Sequence, residues 1–296
     1  MALSIKTNVE SLTAQRNLTA TSKALATNFG RLSSGLRINT AADDAAGLAI
    51  SEKMKATIRS MTQAERNAND GISLLQTAEG ALNENAGVLV RMRELAMQSA
   101  TDTVGTTEKA LINNEFAQLS KEIDRIANVT EFNGTNLFKA GASTGFDFQV
   151  GTMTTSNDQI NTGAVSSMVA SAYGSSVVAG ATTAGVNLSV STVAGVGISV
   201  DTKSNALAAL TALDTAIATT SSTRATYGAV QNRLSVTVSN LQSVRENLTA
   251  ANSRIRDVDV AEESSAMTRN NILMQAGVSV LSQANQTPQA ALKLLQ

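Results

Sequence analysis

Asp43 and Asp44 stand side by side in Ala41-Ala-Asp-Asp-Ala-Ala-Gly, and carboxylate chemistry, beside Ser-Lys chemistry, is what this composition leaves on paper. Carboxylate catalysis needs two acids flanking a reacting group, in environments that push their pKa values apart. No second acidic cluster or base accompanies this pair. Its place at the start of a helical run gives Asp43 a simpler role as an N-cap, where an acid also suits the positive end of the helix dipole. The chain of 296 residues has no His and no Cys. That removes the imidazole base, the Ser-His-Asp triad, thiolate chemistry, disulfides and zinc sites built on His or Cys. The expectation is a protein that is not an enzyme and takes no cofactor or metal.

Arg31-Leu-Ser-Ser-Gly-Leu-Arg37 has the small residues of a phosphate cradle but lacks the Gly-Lys-Ser/Thr of a P-loop. The better reading is a chain bend at Ser33–Gly35 between a terminal helix and a rod of longer helices. Arg91 and Leu95 are four apart and so share a helix face, which pairs a charge with an apolar side chain. Net charge is −1, and no Lys/Arg run interleaves with aromatics, so no nucleic-acid partner is expected. Met1 to Gln15 carries no apolar run with basic flanks, so no Sec-type signal peptide is expected.

Long helices must position these residues. Aromatics are 3% of the chain, so core volume falls to Leu, Ile, Val, Met and Ala, the residues of helix–helix seams. From Ala42 to Ala100, Gly47, Met54, Met61, Ala68, Leu75, Leu82, Leu89 and Ala96 recur every seven residues. Ile50, Thr57, Ala64, Gly71, Ala78, Asn85 and Met92 form a companion row, offset by three and four, as in a coiled-coil seam. Leu213, Thr220, Tyr227, Leu234, Leu241, Leu248 and Ile255 repeat the pattern. The Ser/Thr-rich stretch at Thr219–Thr226 is a weak helix former, but the heptad keeps phase across it, which predicts one helix. Both chain ends carry apolar stripes that need a partner helix.

The middle reads differently. Gln159 to Val200 holds no charged residue, yet Gly, Ser, Thr and Asn interrupt it throughout, so no membrane insertion is expected. Phe146, Phe148 and Val150 alternate as a strand does, as do Val186, Leu188 and Val190, and Val196, Ile198 and Val200. The fold class is therefore mainly α: long coiled-coil-like helices in a rod-shaped bundle, with a small β-hairpin region in mid-chain.

Arg31-Leu-Ser-Ser-Gly-Leu-Arg-Ile-Asn, Ala41-Ala-Asp-Asp-Ala-Ala-Gly-Leu-Ala-Ile and Arg66-Asn-Ala-Asn-Asp-Gly-Ile-Ser together resemble bacterial flagellin. Arg93-Glu-Leu-Ala-Met-Gln-Ser-Ala, Glu131-Phe-Asn-Gly-Thr, Gly228-Ala-Val-Gln-Asn-Arg-Leu and Gln275-Ala-Gly-Val-Ser-Val-Leu-Ser-Gln-Ala-Asn-Gln agree with it. The resemblance spans roughly residues 1–140 and 203–296. It implies a minimal flagellin: residues 1–42 with 256–296 as a terminal inner coiled coil, 43–162 with 201–255 as a rod, and 163–200 as a short variable segment.

The resemblance also implies partners and sites. The chain would polymerise with itself into the extracellular flagellar filament and meet hook-associated junction and cap proteins. A flagellar export chaperone would attend its type III export. Arg31, Ser33, Gly35 and Arg37 would form a linker that packs in assembly. Arg91, Leu95 and Glu115 would form the surface bound by the flagellin-sensing Toll-like receptor, with Val90 standing where the family commonly has Gln. Leu292, Leu294 and Leu295 would serve assembly and be read by cytosolic sensors. A hook–filament junction protein, or a secreted helical binding module, are the alternatives. The zinc-protease insert of some flagellins needs His-Glu-x-x-His, and this chain has no His.

Overall fold

A computed structural model describes residues 8–138, 145–163 and 199–294, with side chains to residue 286. Its described part is mainly α, with two small antiparallel hairpins in mid-chain. Helix α1 runs Val9–Ser34; Asn8 caps it by accepting from the Ser11 amide at 3.1 Å, and Gly35 ends it at φ 71°. That left-handed value is why glycine stands there. Helix α2 runs Ala45–Ser99, 55 residues, or about 80 Å at 1.5 Å per residue. Helix α3 spans Thr106–Val129, α4 Lys203–Arg256 and α5 Val260–Leu294.

Helix α4 passes unbroken through Thr219–Thr226. There the hydroxyls of Thr219, Thr223 and Thr226 each bond the carbonyl four residues back, which keeps them from competing for other backbone geometry. Packing of the heptad face outweighs the weak propensity.

Strands β1 (Glu131–Phe132) and β2 (Thr135–Asn136) pair around Asn133 and Gly134, both at positive φ. Asn-Gly is the sequence that favours such a turn. Strands β3 (Asp147–Gln149) and β4 (Gln159–Asn161) pair with Phe148 opposite Ile160, so the alternation at Phe146–Val150 does mark a strand. The alternations at 186–190 and 196–198 lie outside the described residues.

The chain divides into two compact units. One is Ser60–Val244 and the other comprises the segments before and after it. In the Ser60–Val244 unit, α2 and α4 run antiparallel. Arg93 Nε meets Asp214 at 2.6 Å, Gln231 donates to Glu79 at 3.1 Å and Gln242 donates to Glu65 at 2.7 Å. The heptad residues predicted for the seam fill its core. Leu75, Leu82 and Leu234 are fully buried, each contributing about 1.5–3 kcal/mol. The hairpins close the same cluster with Leu137, Phe138, Val150 and Ile160. Gly71 faces Phe148: a Cβ there would sit 2.9 Å from the ring, so the missing side chain is what admits the strand. Tyr227 lies in this core, and burial pushes its phenol up to about 12.

The heptad is less complete toward the end of α4. Leu241 and Leu248 are half-buried; Leu241 borders an open groove it shares with Met61, Val150, Ile160, Val236 and Val244.

In the other unit, α1 and α5 pair antiparallel. Asn8 Nδ2 donates to the Ala284 carbonyl at 2.8 Å, and Ser11 Oγ donates to Asn285 at 2.9 Å. Asn28 is the polar centre of this pairing. With its amide oriented by its neighbours, it donates to Ala24 and Glu263 and accepts from Asn270 and Met267. Much of the apolar surface of α1 and α5 stays exposed, including Val9, Leu12, Phe29, Ile272, Leu273, Val278 and Val280.

Candidate assembly and recognition sites

The linker is built from both chain ends. After Gly35 the chain turns so that Leu36 forms an isolated antiparallel bridge with Asp257. The Arg37 amide donates to the Arg256 carbonyl at 2.6 Å, and the Val258 amide donates to the Gly35 carbonyl at 3.1 Å. Arg37 Nη2 adds a bond to the Ile255 carbonyl at 2.6 Å, satisfying a carbonyl near the end of α4. Arg256 pairs with Glu52. Of the four linker residues expected from the sequence, Gly35 and Arg37 lie in this clasp. Ser33 is inside α1. Arg31 reaches Asp43 at 3.5 Å and Glu263 at 4.0 Å. Arg256, Asp257 and Val258 carry no signal of this role in the sequence; they come from the far end of the chain, and no local pattern links them to Leu36.

The acidic pair divides its work differently from the sequence expectation. Asp44, not Asp43, caps α2: its Oδ1 accepts from the Gly47 amide at 2.8 Å. Asp43 faces back along the loop and accepts from the Thr40 amide and hydroxyl, each at 2.9 Å, and from the Asn39 amide at 3.3 Å. The helix begins at Ala45, which puts the cap one residue later than Asp43. The Thr40 amide, then the Thr40 hydroxyl, hold the Asp43 carboxyl below its ordinary 3.8. The two carboxylates serve separate backbone turns rather than one reaction centre. Among the described residues no cluster of acids could hold a metal ion.

The second candidate surface lies in the Ser60–Val244 unit. Arg91 projects from α2 and binds Glu115 of α3 through Nη2 at 2.8 Å and Nε at 3.0 Å, and Glu94 through Nη1 at 3.0 Å. All three side chains are about half exposed. The bonds from Glu115, then Glu94, raise the pKa of the Arg91 guanidinium further. Leu95 behaves otherwise. It is 2% exposed and packs in a core cluster with Leu89, Met92, Phe116 and Leu213. It shares the helix with Arg91 but turns inward, so it offers no apolar anchor to a partner. Spacing of four residues places two side chains on adjoining lines, and the position of α3 and α4 decides which of them is covered. The exposed apolar neighbours are Val90 and Met97.

Of the C-terminal leucines, Leu292 and Leu294 fall in α5 by backbone. Their side chains and all of Leu295 lie outside the described residues.

Comparison with known families decides what these elements belong to. Residues 5–143 match the bacterial flagellin N-terminal helical region, and residues 210–295 match the bacterial flagellin C-terminal helical region. The chain belongs to the bacterial flagellins. It is 45% identical to the flagellin of Halalkalibacterium halodurans over 291 residues, covering 98% of this chain and 99% of that one. With the flagellin of Bacillus subtilis it shares 45% identity over 306 aligned positions, at the same coverage. It is 42% identical over 300 positions to the flagellar filament 33 kDa core protein of Treponema phagedenis, covering 98% of this chain and 99% of that one. Flagellins are structural proteins of the flagellar filament rather than enzymes. No described helix is long and apolar enough to cross a membrane.

Proposed function

We propose that this flagellin polymerises with copies of itself into the extracellular flagellar filament, its terminal segments forming the inner layer. The observation that carries the reading is the apolar surface left open on α1 and α5, from Val9 and Phe29 to Ile272 and Val280. A pair of helices with apolar residues on its outside gains by burying them against neighbours, at about 25 cal/mol per Å² removed from water. Residues 1–42 with 256–296 serve as the inner domain, and the Gly35–Arg37 and Arg256–Val258 clasp ties its two segments together. Seeding the purified protein with short filament fragments and sedimenting it tests this. Pelleted fibres support the reading, and a soluble protein under all seeding conditions overturns it.

The chain reaches the outside through the flagellar type III apparatus, attended by an export chaperone. The absence of Cys suits this route, since no crosslink can trap a chain threaded unfolded. At the filament ends it meets the junction and cap proteins. As a free subunit it is a ligand of the flagellin-sensing Toll-like receptor. Arg91 and Glu115 supply the charged contact there, and Leu95 supports the helix from beneath. The C-terminal Leu292, Leu294 and Leu295 serve assembly and are read by cytosolic sensors.

A further inference from the structure

We infer that Asn85 and Thr220 form a buried polar layer whose function is to fix the register in which α2 and α4 pair. Both residues are all but inaccessible, at 0% and 1% exposure. Each occupies a seam position flanked one heptad away by core residues: Asn85 lies between Ala78 and Met92, and Thr220 between Leu213 and Tyr227. The Glu79–Gln231 and Arg93–Asp214 contacts lie on either side of them. In an antiparallel pair this puts Asn85 at the level of Ser222–Ala225, about one helical turn from Thr220. The apolar core breaks at the same level. One cluster ends with Leu82 and Tyr227, and the next begins with Leu89 and Ala216. Thr220 Oγ1 is buried and has no hydrogen-bond partner. A dehydrated, unpaired hydroxyl weakens a core, so Thr220 is not there for stability.

Specificity is what it supplies. The seam repeats every seven residues on both helices, so a slip by one heptad sets leucines against leucines again. The link from the end of β4 at Asn161 to the start of α4 at Lys203 is 41 residues long, so its length does not forbid the slip. A slip in one direction carries Asn85 to the level of Ala229–Asn232, and in the other to Thr215–Ala218. Either move sets its amide against an apolar layer of the seam, that of buried Val230 or that of buried Ala216. A single buried polar residue of this kind sets register in coiled coils at a cost in stability. This inference concerns the single chain and stands apart from the polymerisation reading.

Introduced cysteines report register cleanly, since the chain has none of its own. Arg93→Cys with Asp214→Cys marks the observed register. Arg93→Cys with Ser221→Cys, or with Leu207→Cys, marks a slip by one heptad either way. Each pair is crosslinked with a short bis-maleimide in monomeric protein, with and without Asn85→Leu and Thr220→Val. The expected result is only the Asp214 product in the parent, and at least one slipped product beside it in the double variant, which also melts higher. A double variant that melts higher but yields only the Asp214 product overturns the inference. If the double variant does not fold, Asn85→Ala alone decides: slipped product supports the inference and its absence overturns it.

Discussion

The Arg91 guanidinium and the Glu115 carboxylate meet at 2.8 Å across α2 and α3, forming an ion pair on the surface of the Ser60–Val244 unit. An exposed pair of this kind, screened by solvent, contributes little to stability. Arg91→Ala is therefore expected to melt within a degree or two of the parent while weakening signalling in a Toll-like receptor reporter assay. An Arg91→Ala protein that melts as early as a core variant contradicts the surface assignment.

Core truncation should separate two leucines with the same heptad position. Leu82 is fully buried, and Leu82→Ala is expected to cost about 2–5 kcal/mol. Leu241 is half-buried beside the open groove, so Leu241→Ala should cost clearly less. Thermal melts of the two variants in monomeric protein compare them directly, and equal costs would mean the groove is closed in solution.

Gly71→Ala sets two effects against each other. Alanine gains about 0.8–1 kcal/mol in helix propensity. Its Cβ would stand 2.9 Å from the Phe148 ring, and overpacking a filled core costs about 1–3 kcal/mol. The second effect is expected to win, lowering the melting temperature. Phe148→Leu in the same chain should restore part of the loss, and no recovery would show that the ring is not the obstacle.

Acid should loosen the Asn39–Asp43 loop. The Asp43 carboxyl is held below its ordinary 3.8, first by the Thr40 amide. A depressed carboxyl stabilises the fold above its unfolded pKa, and the contribution disappears as pH falls through the lower, folded value. The Thr40 amide resonance should therefore titrate below pH 3.8 in the parent. Asp43→Asn should abolish that titration, and a Thr40 shift that persists in the variant would assign it to another group.

Amide exchange should rank the helices of the monomer. In α1 and α5, Asn28 and Ala284 are the buried residues among the described side chains, whereas α2, α3 and α4 share two apolar clusters. Local opening is easiest where few apolar contacts are buried. Residues of α1 and α5 are expected to exchange fast in the monomer and slowly in the polymer. Strong protection there in a demonstrated monomer would count against a need for neighbours.

Much of this protein was legible in the order of its residues. Heptads at Leu75, Leu82 and Leu89 and at Leu213 and Leu234 announced two long helices, because apolar residues spaced seven apart have no way to be buried together except along one face of a helix. Motif blocks at both ends carried the family. The same periodicity could not say which side chains would be covered, since burial depends on what packs opposite. So Leu95, four residues from exposed Arg91, lies inside because α3 and α4 bring Phe116 and Leu213 over it. Leu241 stays half open although its heptad position matches that of Leu234. Asp44 rather than Asp43 caps α2 because the loop ahead of it claims Asp43 through Thr40. The clasp of Leu36 with Asp257 joins residues from opposite ends of the chain, and only the antiparallel return of the polypeptide brings them together. Local sequence sets hydrogen-bond periodicity and propensity; the neighbours that decide exposure, capping and pairing arrive from far along the chain, and tertiary structure alone names them.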